Sequence, residues 1–498
     1  MFHVLVLGLC IVGCTAVANH PWSSWTPLDD YVHRPDSSYS WREVASYSKP
    51  GAQVYVVNMT SQIWKDATVT TRSLWWHFLV IALPTNVEHW DASFVYISNG
   101  NNEDINPPHE NQYRVNASSM YAAAMGAPVA YLMHIPNQHM YFVDDPDQIR
   151  RREDGITAWT WMQWLTVNNA TDPDLLIRLP MIKATVRAFD TVAAFAKEKD
   201  SRYNIDKFMP AGESKRGWTT WMVGAVDRRV FAMTPMVLSI LNFKQVLMKH
   251  WQSLGGWTFA FGDFYTEGVT AHFDNPNLQL MADVVDPFSY RHRLDMPKMY
   301  IQGASDEFFQ CDDSSYFYPE MKQPFFLVNL ENTGHNLRGH DARIFSNNVA
   351  FFHNALAGRP WPSIEWEIQN DDELRLGSIT VRTLEVPSSI RVWYSITTQH
   401  VQGRRDFRQR ILSYEGETPQ VVNNEGQMWI QDIPDDIGGG EYRARYSYPE
   451  TGFLAFFIEV NFLLQNLEEI RFDTEADIVP PIFPFAKCSG SGCIGLPL

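Results

Sequence analysis

The sequence predicts an α/β protein: a mainly parallel sheet with helices on both faces, followed by a smaller all-β, sandwich-like unit. Between about residues 50 and 355, short apolar runs alternate with longer stretches of helical period, the pattern of strand–helix–strand units. Several runs are continuously apolar, as strands covered on both faces must be. After Gly358-Arg359-Pro360-Trp361-Pro362 the period shortens to two and turn clusters become frequent, which marks a change of architecture.

Composition agrees. The 498 residues are 45% hydrophobic and 14% aromatic, enough for a sizeable core and too many for a disordered chain. The net charge of -17 argues against a nucleic-acid partner, which calls for a basic field.

The elements follow in order. Val4 to Val12 is apolar and precedes Ala16-Val17-Ala18, the h-region and small-residue cleavage site of a secretory signal over residues 1–18. Ile11-Val12-Gly13-Cys14 also resembles a lipobox, but Met1-Phe2-His3 supplies no basic residue. No later stretch approaches about 18 consecutive apolar residues, so no membrane anchor is expected.

An α/β domain is predicted over 19–360. Its strands are Val54–Asn58, Trp75–Leu83, Phe94–Ser98, Val129–His134, Lys207–Ala211, Val230–Thr234, Met299–Gln302 and Phe325–Leu330. After Pro180, Ile182, Val186, Phe189, Ala193 and Ala196 form one helical stripe. A segment at about 135–172, rich in Trp (Trp159, Trp161, Trp164) and charge (Arg150 to Arg152), reads as an insertion over the sheet edge or as a plain helical excursion. A helix over Ile344–Leu356 closes the domain. Residues 361–475 read as the β-sandwich, from alternations such as Tyr442, Ala444 and Tyr446 against Arg443 and Arg445.

The remaining 476–498 form a tail in which Cys488 and Cys493 flank Ser-Gly-Ser-Gly, a spacing that allows a short disulfide loop. Cys311 is then a free, buried thiol. Sequons at Asn58, Asn116 and Asn169 agree with a secreted glycoprotein.

The local chemistry centres on Pro210-Ala211-Gly212-Glu213-Ser214-Lys215-Arg216-Gly217, a strand running into a helix through a turn with Ser at its apex. This is the shape of a nucleophile elbow, which lifts the hydroxyl above the sheet and points the next backbone N–H at a developing oxyanion. The match to G-x-S-x-G is incomplete: Arg216 stands where the second glycine belongs, and Gly217 follows one residue late. Pro210 is awkward in a central strand. The plainer alternative is a helix N-terminus capped by Ser or Glu.

Chain order strengthens the first reading. Asp306 follows the apolar Met299–Gln302 run and His335 follows Phe325–Leu330. Ser214, Asp306 and His335 at the ends of successive strands reproduce the α/β-hydrolase order. Asp312 and Asp313 are rival carboxylates, while His272, His292 and His340 lack the strand-end setting. Backbone N–H groups of Lys215 and of Gly100 or Asn101, after the Phe94–Ser98 strand, are the oxyanion candidates. No His/Cys/Asp cluster has metal-ligand spacing, so neither metal nor cofactor is expected.

Together Trp75-Trp76-His77, Ser214 to Trp221, Asp306-Glu307-Phe308-Phe309, Asn332 to Leu337, Arg405 to Arg408 and Gly452 to Phe457 resemble the PhoPQ-activated pathogenicity-related family, with its autocrine proliferation repressor A-like members. The resemblance covers most of the mature chain. It implies a secreted α/β-hydrolase-like protein with a β-sandwich tail, whose Ser, Asp and His fall at Ser214, Asp306 and His335. Two functions follow. One is a serine hydrolase acting on a peptide or small ester. The other is an extracellular signalling protein that meets a receptor and uses the fold without relevant turnover.

Overall fold

The computed structural model describes residues 24–401, 403–414 and 418–498. The signal segment read over 1–18 lies outside the described residues. The apolar runs of the first two thirds become β1 (Ser40–Lys49), β2 (Ala52–Ile63), β3 (Leu74–Pro84), β4 (Ala92–Ile97), β5 (Val129–Leu132), β6 (Lys207–Glu213), β7 (Thr234–Met236), β8 (Lys298–Gly303) and β9 (Phe325–Leu330). They pair in the order β1-β2-β3-β5-β4-β6-β7-β8-β9. Pairing is antiparallel from β1 to β5 and parallel from β5 to β9.

β3 shows why such strands read as unbroken apolar runs. Phe78, Val80 and Ala82 enter the core beneath helices Tyr113–Met125 and Asp341–Leu356, whereas Leu79, Ile81 and Leu83 enter the core beneath Arg178–Lys199 and Lys215–Val226. Successive side chains point to opposite faces, and both faces are roofed by helix. The helix expected after Pro180 begins at Arg178, and its buried stripe includes Ile182, Val186, Phe189 and Ala196. Pro180 is tolerated because it lies in the first turn, where an N–H has no intrahelical partner.

Two local expectations change. Val230 and Met233 make only isolated bridges, and the regular strand there is the short β7. Pro210 does occupy the central strand β6, but in a gap of its ladder: pairing with β7 resumes only at Ala211 after the Phe208–Val230 bridge.

The second half supplies β10 (Glu365–Asp371), β11 (Leu376–Arg382), β12 (Ser389–Ile396), β13 (Arg410–Ser413), β14 (Gln420–Asn423), β15 (Ile430–Asp432), β16 (Asp435–Gly438), β17 (Glu441–Ser447), β18 (Leu454–Leu463), β19 (Glu469–Asp473) and β20 (Asp477–Val479). One layer is β10-β11-β17-β16. Its Ile379, Val381 and Ala444 share a core with Phe456, Ile458 and Val479 of the other layer. The sandwich expected over 361–475 is therefore present as two layers, but it is not a separate unit. Its second layer, β19-β18-β12-β15 with β20 on β18, continues the first sheet through β9, giving 14 strands in all. The expected boundary at 475 also falls short, because β20 lies beyond it.

The β9–β19 seam has a single register pair, Leu327 with Asp473, and side chains do the rest. Buried Arg471 donates to Asn329 O at 2.6 Å and pairs with Asp473, Glu331 and Glu459 at 2.9, 2.9 and 3.2 Å. Phe326 stacks on Phe472 at 4.0 Å. The tail returns to the first half. Cys488 is bonded to Cys493, Trp257 Nε1 donates to Cys493 O at 2.8 Å, and Leu498 N donates to Trp257 O at 2.8 Å. Cys311 is free and buried.

Removing the cation at the seam leaves carboxylates buried without compensation, a defect that typically costs about 3–5 kcal/mol. Arg471→Ala is expected to lower unfolding stability by that order, read as a lower denaturant midpoint. A midpoint within about 0.5 kcal/mol of wild type, the range usual for surface substitutions, would show that the seam does not depend on Arg471.

Candidate active site

Ser214 stands between β6 and helix Lys215–Val226 at φ +58°, ψ −125°, a conformation that costs a residue with a side chain on the order of 1–3 kcal/mol. Two glycines make the turn geometrically possible. A Cβ on Gly217 would lie 2.4 Å from Met236 O, and one on Gly212 would lie 2.8 Å from Arg216 O and 2.9 Å from Arg216 Cβ. The second glycine thus comes at Gly217 because that residue meets β7. Arg216 is accommodated because Gly212 opposite it has no side chain. Its guanidinium leaves the turn, donating to Ile135 O at 2.6 Å and pairing with Glu153 at 2.5 Å. Lys215 pairs with Glu153 at 3.0 Å and Asp154 at 3.1 Å. Glu153 and Asp154 of the 135–172 segment are thereby held against the elbow.

Asp306 and His335 come together at the ends of β8 and β9. His335 Nδ1 lies 2.8 and 3.0 Å from the two Asp306 oxygens. Asp306 Oδ1 also accepts from the backbone N–H groups of Phe308 and Phe309, at 2.7 and 3.2 Å. Burial raises the Asp306 carboxyl above its ordinary value, and His335 opposes that rise. Phe308 packs on the imidazole with ring centres 4.3 Å apart. Among the described residues, His335 Nε2 is buried without a hydrogen-bond partner, and no hydrogen bond joins it to Ser214, although both residues line one cleft. The rivals lie elsewhere: Asp312 and Asp313 are locked onto buried Lys249, and His340 bonds Glu331 O.

Two cavities meet at Ser214. One is a polar cleft of about 490 Å³ bounded by Tyr96, Asn99, Tyr113, Arg114, Tyr131 and His335. The other is a narrow apolar slot of about 70 Å³ walled by Trp161, Trp218, Leu238, Trp257, Phe261 and Phe264. Ser214, Lys215 and Phe308 belong to both. Trp161 comes from the Trp-rich insertion. Most of the remaining wall comes from the segment between β7 and β8, a cap that sequence reasoning did not single out although Trp251, Trp257, Phe259, Phe261 and Phe264 crowd into it.

The oxyanion candidates divide. The residue after Ser214 is Lys215, as the elbow requires. In the loop after β4, Ser98 and Asn99 line the cleft, and the Ser98 N–H is already given to Leu132 O at 2.7 Å. Gly100 instead packs on His134, where a Cβ would meet the ring at 2.3 Å, and Asn101 lines neither cavity. Of the sequons, Asn58 is half-buried inside β2, Asn116 half-buried in a helix and Asn169 exposed in a turn. Among the described residues, no group of three or more His, Cys, Asp or Glu side chains is placed to hold a metal ion.

A parallel sheet roofed by helices on both faces, with Ser at a strained strand–helix turn and His and Asp on later strand ends, defines the α/β-hydrolase fold. A family model described as PhoPQ-activated pathogenicity-related protein matches residues 28–408. Autocrine proliferation repressor protein A of Dictyostelium discoideum is 33% identical over 483 residues, covering 94% of each chain. The chain belongs to the PhoPQ-activated pathogenicity-related family. Among solved structures, acetyl xylan esterase 1 from Thermoanaerobacterium sp. JW/SL YS485 aligns at 14% identity and TM-score 0.42 over 65% of this chain and 90% of its own. The acetyl xylan esterase from Paenibacillus sp. R4 aligns at 15% and 0.44 over 66% and 90%.

Histidines underpin the floor of the site. His77 Nδ1 donates to Met133 O at 3.1 Å and its Nε2 accepts from Ser61 Oγ at 2.9 Å, and His134 supports the loop after β4. Burial, the largest cause in each, pushes His77 down to about 3 and His134 down to about 4. In the unfolded chain each titrates near about 6.5. The unfolded state therefore binds protons that the folded state refuses, so this stability is complete above about pH 6.5 and drains away as pH falls toward 4. The thermal midpoint is expected to fall steadily over that window, with His77→Gln flattening the slope. A midpoint indifferent to pH there would contradict the neutral, buried state.

Proposed function

We propose that this chain is a secreted serine hydrolase that transfers an acyl group from a peptide or ester carbonyl to water. One observation carries the reading: Ser214 stands at the junction of two cavities, in the same cleft as an imidazole backed by a buried carboxylate. His335 Nε2 takes the Ser214 proton as Oγ attacks the carbonyl carbon, and Asp306 holds Nδ1 protonated and stabilises the imidazolium. The backbone N–H groups of Lys215 and Asn99 receive the oxyanion. His335 then returns the proton to the leaving group, and water repeats the sequence on the acyl-enzyme. The absent Ser214–His335 hydrogen bond is compatible with this route, because such contacts commonly tighten only with substrate bound.

That same gap, with the printed name of the Dictyostelium relative, favours a second reading in which the protein signals to a receptor without turnover. Labelling by a fluorophosphonate separates the two. Wild type is expected to be labelled, and Ser214→Ala or His335→Ala to lose at least about a thousandfold in ester hydrolysis. Equal labelling of wild type and Ser214→Ala would overturn the hydrolase reading. If Ser214→Ala keeps a proliferation-repressing effect on cells, turnover is not the effector.

Secretion has its own check. Asn169 is the accessible sequon, so secreted wild type is expected to shift in mobility on glycosidase treatment and Asn169→Gln to lose that shift. An unshifted wild type would count against passage through the secretory route.

A further inference from the structure

Arg178 opens the helix Arg178–Lys199, is 3% exposed, and lines the apolar slot beside Ser214. Arginine is rarely so deeply buried without a paired anion, yet among the described residues no carboxylate lies within ion-pair distance of it. The two nearby carboxylates are already engaged: Glu153 by Lys215 and Arg216, Asp154 by Lys215. A third carboxylate, Asp263, faces Lys215 and Asp154 and makes no ion pair with Arg178, so Arg178 is the cation of this group left without a carboxylate of its own among the described residues.

Its hydrogen bonds do not make up the difference. Nη1 reaches Lys215 O only at 3.5 Å and Met181 Sδ at 3.9 Å, and Nε is buried with no partner. One face of the guanidinium lies over the Trp218 ring, 4.4 Å from its centre. That contact stabilises the charge and fixes the plane but uses none of the N–H donors, which lie in the plane of the group. The helix adds to the cost, since its first turn contains no acidic residue and its N-terminus carries partial positive charge. Burial brings the Arg178 pKa down to about 10, so the group remains charged at neutral pH.

We propose that the slot receives a substrate group with an apolar stem ending in a carboxylate, which docks on the unpaired N–H edge of Arg178. The rest of the wall is mainly aromatic and aliphatic, which suits the stem; its other charged members, Asp154 and Lys215, are paired with each other at 3.1 Å, which leaves Arg178 as the unpaired partner for a terminal anion. A carboxylate matches the guanidinium edge in shape and charge. The inference rests on the hydrolase reading only for the position of the scissile carbonyl; the binding of the anion does not need it.

The test compares monoethyl adipate with ethyl hexanoate, which differ at the terminus by carboxylate against methyl. Wild type is expected to favour the adipate by at least tenfold in kcat/KM. Arg178→Met should reverse that preference, and Arg178→Lys should restore part of it. A role confined to packing on Trp218 would change both esters alike. Calorimetric titration of the Ser214→Ala protein with adipate reads binding without chemistry, and the Ser214→Ala, Arg178→Lys double variant shows whether the guanidinium sets the affinity should Arg178→Met fail to fold. Adipate binding that weakens with Arg178→Lys, in a protein that cleaves neither ester, keeps the pocket and removes the hydrolase. Cleavage of both esters without preference, or no adipate binding, overturns the pocket.

Discussion

A strand that ends on a residue at φ +58° and becomes a helix in the next step needs two places where no side chain stands. Gly212 and Gly217 are those places, and much of the site follows from them. The helix can approach β7 until Gly217 meets Met236 O, and Ser214 N then bonds that same oxygen at 2.9 Å. Backbone contacts thereby oppose the strain of the turn. Because Gly212 leaves room opposite, the position two after Ser214 can carry a long cation. Arg216 and Lys215 use it to hold the insertion through Glu153, whose carboxyl they lower well below its ordinary range against the opposing effect of burial. One steric allowance therefore sets both the Ser214 turn and the cover above it.

The β-rich half has a corresponding task on the other side of the site. Arg410, on β13, pairs with Glu307 at 2.6 Å, and the other Glu307 oxygen accepts from His335 N at 2.9 Å. Trp429 Nε1 donates to Ser305 Oγ at 2.9 Å, while its backbone exchanges two bonds with the side chain of Asn332. These contacts brace the loops that carry Asp306 and His335. With one sheet passing through the seam, the loops that carry Asp306 and His335 are held from both halves.

What could be read from the sequence was what is encoded locally. Ser214, Asp306 and His335 each follow an apolar strand, and strand ends can be located from a short window. Helix Arg178–Lys199 was legible from its stripe for the same reason. In the loop after β4 the cleft is lined at Asn99 and not at Gly100 or Asn101, a one-residue difference that arises because the exact end of a strand is poorly marked in a turn of Asn and Gly. The fusion of the two sheets left no periodic trace, since the seam rests on Arg471 and stacked rings instead of a long ladder. Nothing in the local sequence singles out Arg178. Its isolation exists only because Glu153 and Asp154, some 25 residues earlier in the chain, fold over Lys215 and Arg216.

The tail contact at Trp257 concerns time as well as space. Trp257 walls the slot, but its indole N–H and its backbone are satisfied by Cys493, Leu496 and Leu498, and a Cβ on Gly495 would already touch its ring at 3.0 Å. A ribosome makes Trp257 more than 230 residues before those partners. During synthesis the sheet and elbow can form while this wall still lacks its support, and the pocket is finished only when the last described residues have emerged. The support of this wall is thus among the last parts of the described chain to be made.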